Sequence, residues 1–97
     1  VKPAVFHPEA LAELQEQAVF YEERSAGLGE RFAVQVEAAV SLAVSMPGIG
    51  SPYRHGTRRV LPKDFPHSVV YREMADSLVI LAVAPFKRKP AYWRHRK

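Results

Sequence analysis

Residues 65–84, FPHSVVYREMADSLVILAVA, decide how the chain folds. Two apolar runs, Val69-Val70-Tyr71 and Leu78 to Ala84, flank a short polar joint, Glu73-Met74-Ala75-Asp76-Ser77. The second run carries no charge and sends apolar side chains to alternate sides. A strand apolar on both faces belongs in the middle of a sheet, covered on each side. Seven residues make a strand, and fall far short of a membrane span. The stretch reads as a β-hairpin at the centre of the sheet, with a basic tail, Lys87 to Lys97, leaving its end. Ile80 and Leu81 are then core positions where an aspartate would prevent folding, whereas Arg96 and Lys97 should be exposed and dispensable for it.

Upstream, Lys2 to Phe6 can form a first strand, whose place in the sheet the pattern leaves open. His7-Pro8 ends it, and proline suits the first turn of a helix, where Glu9 complements the positive helix end. Leu11, Leu14, Ala18 and Tyr21 then recur at helical spacing, with Glu13, Gln15, Glu16 and Gln17 mostly elsewhere on the wheel. Ser25-Ala26-Gly27 closes this helix, Gly27 serving as a left-handed cap. Phe32, Val36, Ala39, Val40 and Ala43 mark a second helix that Pro47 stops. So short a joint predicts an antiparallel helical hairpin. A turn-rich connector, Pro47 to Pro52, leads to a strand over 57–61, and the Asp64-Phe65-Pro66 bend leads into the central hairpin. Helices grouped together and strands grouped together give an α+β fold: an N-terminal helical hairpin packed on a small antiparallel β-sheet, one domain over 1–97.

Composition narrows the chemistry. There is no cysteine, hence no disulfide framework and no thiolate metal site. His7, His55, His67 and His95 lack any close pairing that would suggest zinc, and neither a metal nor a cofactor is expected. No signal-peptide pattern opens the chain, which points to a cytoplasmic location and no membrane partner. The net charge of +4 hides a division. Residues 1–46 hold three basic residues (Lys2, Arg24, Arg31) against seven glutamates, whereas residues 47–97 hold eleven Lys and Arg against Asp64, Glu73 and Asp76. Two readings follow: a polyanionic partner for the second half, or mutual attraction of the halves within the domain. Arg58 and Arg59 are neighbours in a strand and face opposite ways, so one lines a given surface and the other is expected to pair with a helix glutamate. Trp93 can be a stacking platform or a seal on the sheet's end.

Gly27-Leu28-Gly29-Glu30-Arg31-Phe32, Met46-Pro47, Gly50-Ser51-Pro52 and Gly56-Thr57-Arg58-Arg59 together resemble the RelE/ParE superfamily of type II toxins. So do Phe65-Pro66, Val69-Val70-Tyr71-Arg72 and the ending Arg88-Lys89-Pro90-Ala91-Tyr92-Trp93-Arg94. The likeness runs over nearly the whole chain. It implies the toxin component of a toxin–antitoxin (plasmid stabilisation) module, neutralised by a cognate antitoxin and acting on DNA gyrase or on translation. The Arg-x-Pro-x-Tyr-Trp ending looks more like the ParE side, which favours gyrase inhibition by binding. The alternative is a metal-independent, ribosome-dependent mRNA endoribonuclease. Such chemistry needs a base for the 2′-hydroxyl, cations for the phosphorane and an acid for the leaving oxygen. The resemblance offers Arg59, Arg72, Arg88 and Tyr92 for those roles. A third class is an inactive toxin-fold protein that acts only in a complex. On any of these readings Arg58, Lys63, Lys87, Arg88, Lys89, Trp93 and Arg94 are candidates to meet the target or nucleic acid. Leu14, Tyr21, Phe32 and Val36 are candidates for the antitoxin, being more apolar surface than one thin sheet can cover.

Overall fold

The structure, a computed structural model, describes residues 2–96 of the chain. Lys97, expected in the basic tail, lies outside the described residues. The chain order is β1 (Ala4–Phe6), α1 (Pro8–Arg24), α2 (Leu28–Ser45), β2 (Ser51–Pro52), β3 (Arg58–Val60), β4 (His67–Glu73) and β5 (Leu78–Pro85). The two helices pack on one face of a five-stranded sheet ordered β1-β5-β4-β3-β2. This is the expected α+β arrangement, with one difference. β1 runs parallel to β5, pairing Ala4 with Leu78 and Phe6 with Ile80, so the sheet is mixed rather than wholly antiparallel. The helical hairpin between β1 and the rest of the sheet supplies the long connection that a parallel neighbour needs.

α1 begins where Pro8 occupies the first turn and His7 Nδ1 accepts from the Glu9 backbone N–H at 3.1 Å. It ends at Ser25, whose backbone is extended; Gly27, at φ 86°, stands at the start of α2 instead of capping α1. The left-handed glycine is thus where the sequence places it, but it opens the second helix. Glu22 locks the joint by accepting from the N–H groups of Gly27 at 2.8 Å and Gly29 at 3.0 Å. Those two bonds hold its carboxyl below the usual glutamate range. At Gly29 a Cβ would press into the Ala18 carbonyl, and only glycine lets the helices meet so closely there.

The central strands are covered on both faces, as their composition requires. Phe32, Val36, Ala39 and Ala43 from α2 pack with Val69, Tyr71, Leu78, Ile80 and Val83 beneath the helices. On the opposite face Val70, Leu81, Ala82 and Ala84 lie under Ala91 and Trp93 from the C-terminal tail. Side-chain alternation in β5 is broken by a bulge. Val70 faces Ala82 and Tyr71 faces Ile80, leaving Leu81 as the extra residue. That slip puts Leu81 and Ala82 together in the second core, which a strict period of two does not foresee. Tyr71, buried at 1% exposure, ties the connector down: its hydroxyl donates to Pro47 O at 2.7 Å and accepts from Gly50 N at 3.0 Å.

The tail departs most from expectation. Residues beyond Pro85 turn back over the sheet, and Arg96 is only 7% exposed. It is therefore part of the core's boundary and not a dispensable end. The arginine pair also differs from the reading above. Arg58 donates to Gly50 O at 2.7 Å and Arg59 to Ser68 Oγ at 3.3 Å, so neither reaches a helix glutamate. The glutamates and the basic half meet instead at Glu13 and Arg96. No helix among the described residues is long and apolar enough to cross a membrane.

Candidate functional site

β3 and β4 present Arg59 and Ser68 on the face away from the helices. The turn after β5 brings Arg88 and Lys89 opposite them, and Pro90 stiffens the chain that follows. Between lies an open cleft of about 400 Å³. Tyr53, Arg59 and Ser68 from the sheet region and Arg88, Lys89 and Tyr92 from the tail line it, with Leu61, Phe86 and Trp93 among its apolar walls. No carboxylate is among the residues that line it.

Each guanidinium in the cleft is braced by a tyrosine ring. Arg59 lies 4.4 Å over the centre of Tyr53, and Arg88 lies 3.9 Å over Tyr92. Such stacking restricts a long side chain while leaving the in-plane N–H groups available to a ligand. Tyr92 is fixed in turn. Its hydroxyl donates to Glu13 Oε2 at 2.5 Å, and the Arg96 guanidinium lies 5.2 Å from the centre of its ring. Burial, the hydrogen bond to Glu13 and the charge of Glu13 all push the Tyr92 pKa well above the ordinary tyrosine value.

Glu13 is the hub of this end of the molecule. Arg96 donates Nη1 to Oε1 at 2.9 Å and Nη2 to Oε2 at 3.0 Å, while Val83 N donates to Oε1 at 3.0 Å. Arg96 Nη1 also reaches Leu81 O at 2.9 Å. Burial works against charge on Arg96, but the hydrogen bond and charge of Glu13 outweigh it, and its pKa is raised. β1 pairs with β5 only as far as Ile80, and the pair satisfies strand groups past that point.

Of the residues proposed for nuclease chemistry, the structure brings Arg59, Arg88 and Tyr92 to one cleft. Arg72 is not with them. It is further along the sheet beside Met74, Val79 and Leu81, with Nη2 bonded to His55 O at 2.9 Å. Tyr92 is a half-buried donor to a carboxylate, the opposite of a base ready to take a proton.

The remaining candidates scatter. Lys89 joins the cleft; Lys63 sits in a groove beside α2 with Ala38 and Leu42, and Lys87 in another with Phe20 and His67. Arg58 is turned towards the Gly48-Gly50 connector. Arg94 is exposed and bonds its own turn at Ala91 O. Trp93, at 1% exposure, is a seal and not a stacking platform, because no face is left for a base. Phe32 and Val36 are fully buried beneath the hairpin and cannot serve an antitoxin, since the sheet covers them after all. Leu14 and Tyr21 are partly buried against the same core. The apolar side chains left at the helix surface are others, notably Val19, Phe20, Val34 and Leu42.

Sequence reasoning passed over Tyr53, Ser68 and the Glu13–Arg96 pair. The first two carry no signal alone, since only the fold sets them beside Arg59. Glu13 reads as one more glutamate on a solvated face. His67, also unassigned, is 2% exposed, and its ring is held neutral by burial, with a pKa lowered to about 4. Among the described residues no group of His, Asp or Glu side chains converges as a metal site.

Comparison with known proteins points one way. The family model described as the ParE toxin of the type II toxin–antitoxin system parDE matches residues 4–90. No curated protein sequence gives a match. Among solved structures, a chain of the chromosomal ParDE toxin–antitoxin system from P. aeruginosa superposes with a TM-score of 0.67. The alignment covers 89% of this chain and 97% of that one at 20% sequence identity, a likeness of fold. The family match ends just before the residues that close the tail, Tyr92, Trp93 and Arg96.

Proposed function

The chain belongs to the ParE toxin family of type II toxin–antitoxin systems, and from that premise we propose that it acts by binding, inhibiting DNA gyrase until a cognate antitoxin neutralises it. The observation that carries the binding reading is the state of Tyr92. A phosphodiester cleavage needs a group to accept the 2′-hydroxyl proton. In the cleft the side chains nearest that role are Arg59, Arg88 and Lys89, all cations, and a tyrosine whose proton is committed to Glu13. Two braced guanidinium groups among apolar walls favour holding an anionic group of a partner over transforming it.

Supercoiling assays with purified gyrase, run beside primer-extension mapping on translating ribosomes, test this. The expected result is loss of supercoiling at stoichiometric toxin with no new messenger ends. It should be reversed by the antitoxin encoded beside the toxin. Codon-phased cuts would overturn it in favour of a nuclease. Neither activity, from a folded protein that still binds its antitoxin, would mean a toxin fold that acts only within the complex.

A further inference from the structure

We propose that the cleft between Arg59 and Arg88 is a docking site for an extended segment of a partner protein that carries a carboxylate beside a large apolar side chain. This rests on the reading of the chain as a binder, and specifies what the site binds.

Charge complementarity sets the first half of the recognition. Arg59 and Arg88 both line the cleft, each stacked on a tyrosine, and Lys89, next to Arg88 in the chain, adds a third cation. Arg59 spends one N–H on the Ser68 hydroxyl, a neutral partner, and neither guanidinium has a carboxylate among the described ion pairs. A carboxylate between them gains charge-assisted hydrogen bonds from groups whose rotamers are already restricted.

The walls set the second half. Leu61 is 54% exposed and Phe86 55% exposed at the margins, with Pro85, Pro90 and Ala91 between. These offer a flat apolar seat to a side chain next to the acid. A nucleic acid would instead ask for a track of cations and free aromatic faces on which bases stack. Tyr53 and Tyr92 are each already stacked against a guanidinium, and Trp93 is buried. One short anionic contact flanked by apolar surface is the pattern of a peptide.

The probes are short capped peptides, Ac-Leu-Glu-Phe-amide and its Gln counterpart, with inorganic phosphate and an oligouridylate for comparison. Trp93, the single tryptophan, forms part of the cleft wall and reports occupancy by fluorescence, checked by arginine side-chain NMR shifts. We expect saturable shifts from the Glu peptide up to millimolar concentration. Affinity should fall roughly tenfold for the Gln peptide or for Arg88→Gln, the value of one charge-assisted bond. The double variant Arg59→Gln, Arg88→Gln should lose binding while keeping a cooperative melting transition, since the one buried partner at stake is the Ser68 hydroxyl, held by Arg59 at 3.3 Å. No saturable shift, a Gln peptide bound as well as the Glu peptide, or an oligouridylate bound more tightly than either would overturn the proposal. The binder reading fails separately, by codon-phased cuts on ribosomes, whatever the peptides do.

Discussion

Arg96 meets Glu13 end-on, its Nη1 and Nη2 at 2.9 and 3.0 Å from the two carboxylate oxygens, across 83 positions of sequence. The pair joins the tail to the first helix and closes the edge of β5 that β1 leaves open. It also holds Tyr92, on which Arg88 rests, so the cleft's geometry depends on a contact made behind it.

The first prediction concerns that pair. The Arg96 side chain is 6% exposed and the Glu13 side chain 13%. Arg96→Ala leaves a buried carboxylate and the Leu81 carbonyl without their partner, and should cost about 3–5 kcal/mol, as breaking buried pairs does. Arg94→Ala, two residues earlier and exposed, should stay within about 0.5 kcal/mol of wild type. Urea melts compare the three; equal midpoints for wild type and Arg96→Ala would show that the tail is not part of the fold.

Why this pair is hidden in the sequence has a physical reason. The central hairpin was legible because burial on both faces removes every charge from Leu78 to Ala84, and the helices because their apolar positions recur at helical spacing. Those signals are local. Glu13 is one of several polar residues on α1, with Gln15, Glu16 and Gln17 close by, and Arg96 is flanked by His95 and Lys97, so each reads as solvated. The bulge at Leu81 is equally silent, because an apolar run tolerates a slip of one residue without a change in composition. Arg59 and Arg88 were visible as cations and as positions resembling a family pattern. Tyr53, Ser68 and Phe86, which make them a site, have meaning only once β3 and the turn after β5 face one another.

The second prediction tests the central strand. Ile80 and Leu81 are 0% and 1% exposed, and they belong to different cores, one on each face of the sheet. An unpaired aspartate at either position costs several kcal/mol, of the order of the ~5–15 kcal/mol that holds a domain together. Ile80→Asp and Leu81→Asp should each lose the cooperative thermal transition by circular dichroism. If Leu81→Asp alone melted normally, the tail would not cover the second face.

The third prediction is a pH dependence. Burial lowers the His67 pKa to about 4, against about 6.5 for an unfolded histidine. Between those values the unfolded chain binds the proton and the folded one does not, so stability falls as pH drops from about 6.5 to about 4. The loss from this group should reach about 3–4 kcal/mol, at 1.36 kcal/mol per pH unit of difference. Below about 4 both states bind the proton and its contribution stops changing. His67→Gln should flatten the slope of stability against pH within that window; an unchanged slope would mean that other groups set it.

The fourth prediction separates an affinity role for Arg88 from a catalytic one. Arg88 is exposed, follows β5, and touches Tyr92 only through its ring, so Arg88→Ala should fold as wild type does. If the cleft docks a segment of gyrase, the variant needs roughly tenfold more protein for half-inhibition of supercoiling, the loss of one charge-assisted bond. At saturation it inhibits fully, because nothing but occupancy was lost. Rising salt should weaken wild type more than the variant, which carries one fewer charge to screen. A residue that stabilised a transition state would behave otherwise. Its removal would slow cleavage by about a hundredfold or more, and no excess of protein would restore the rate. Titrating both proteins against a fixed amount of gyrase, with ribosome cleavage measured in parallel, distinguishes the two. A shifted curve with the same plateau makes Arg88 a docking residue; a lowered plateau at every concentration would remove it from that role.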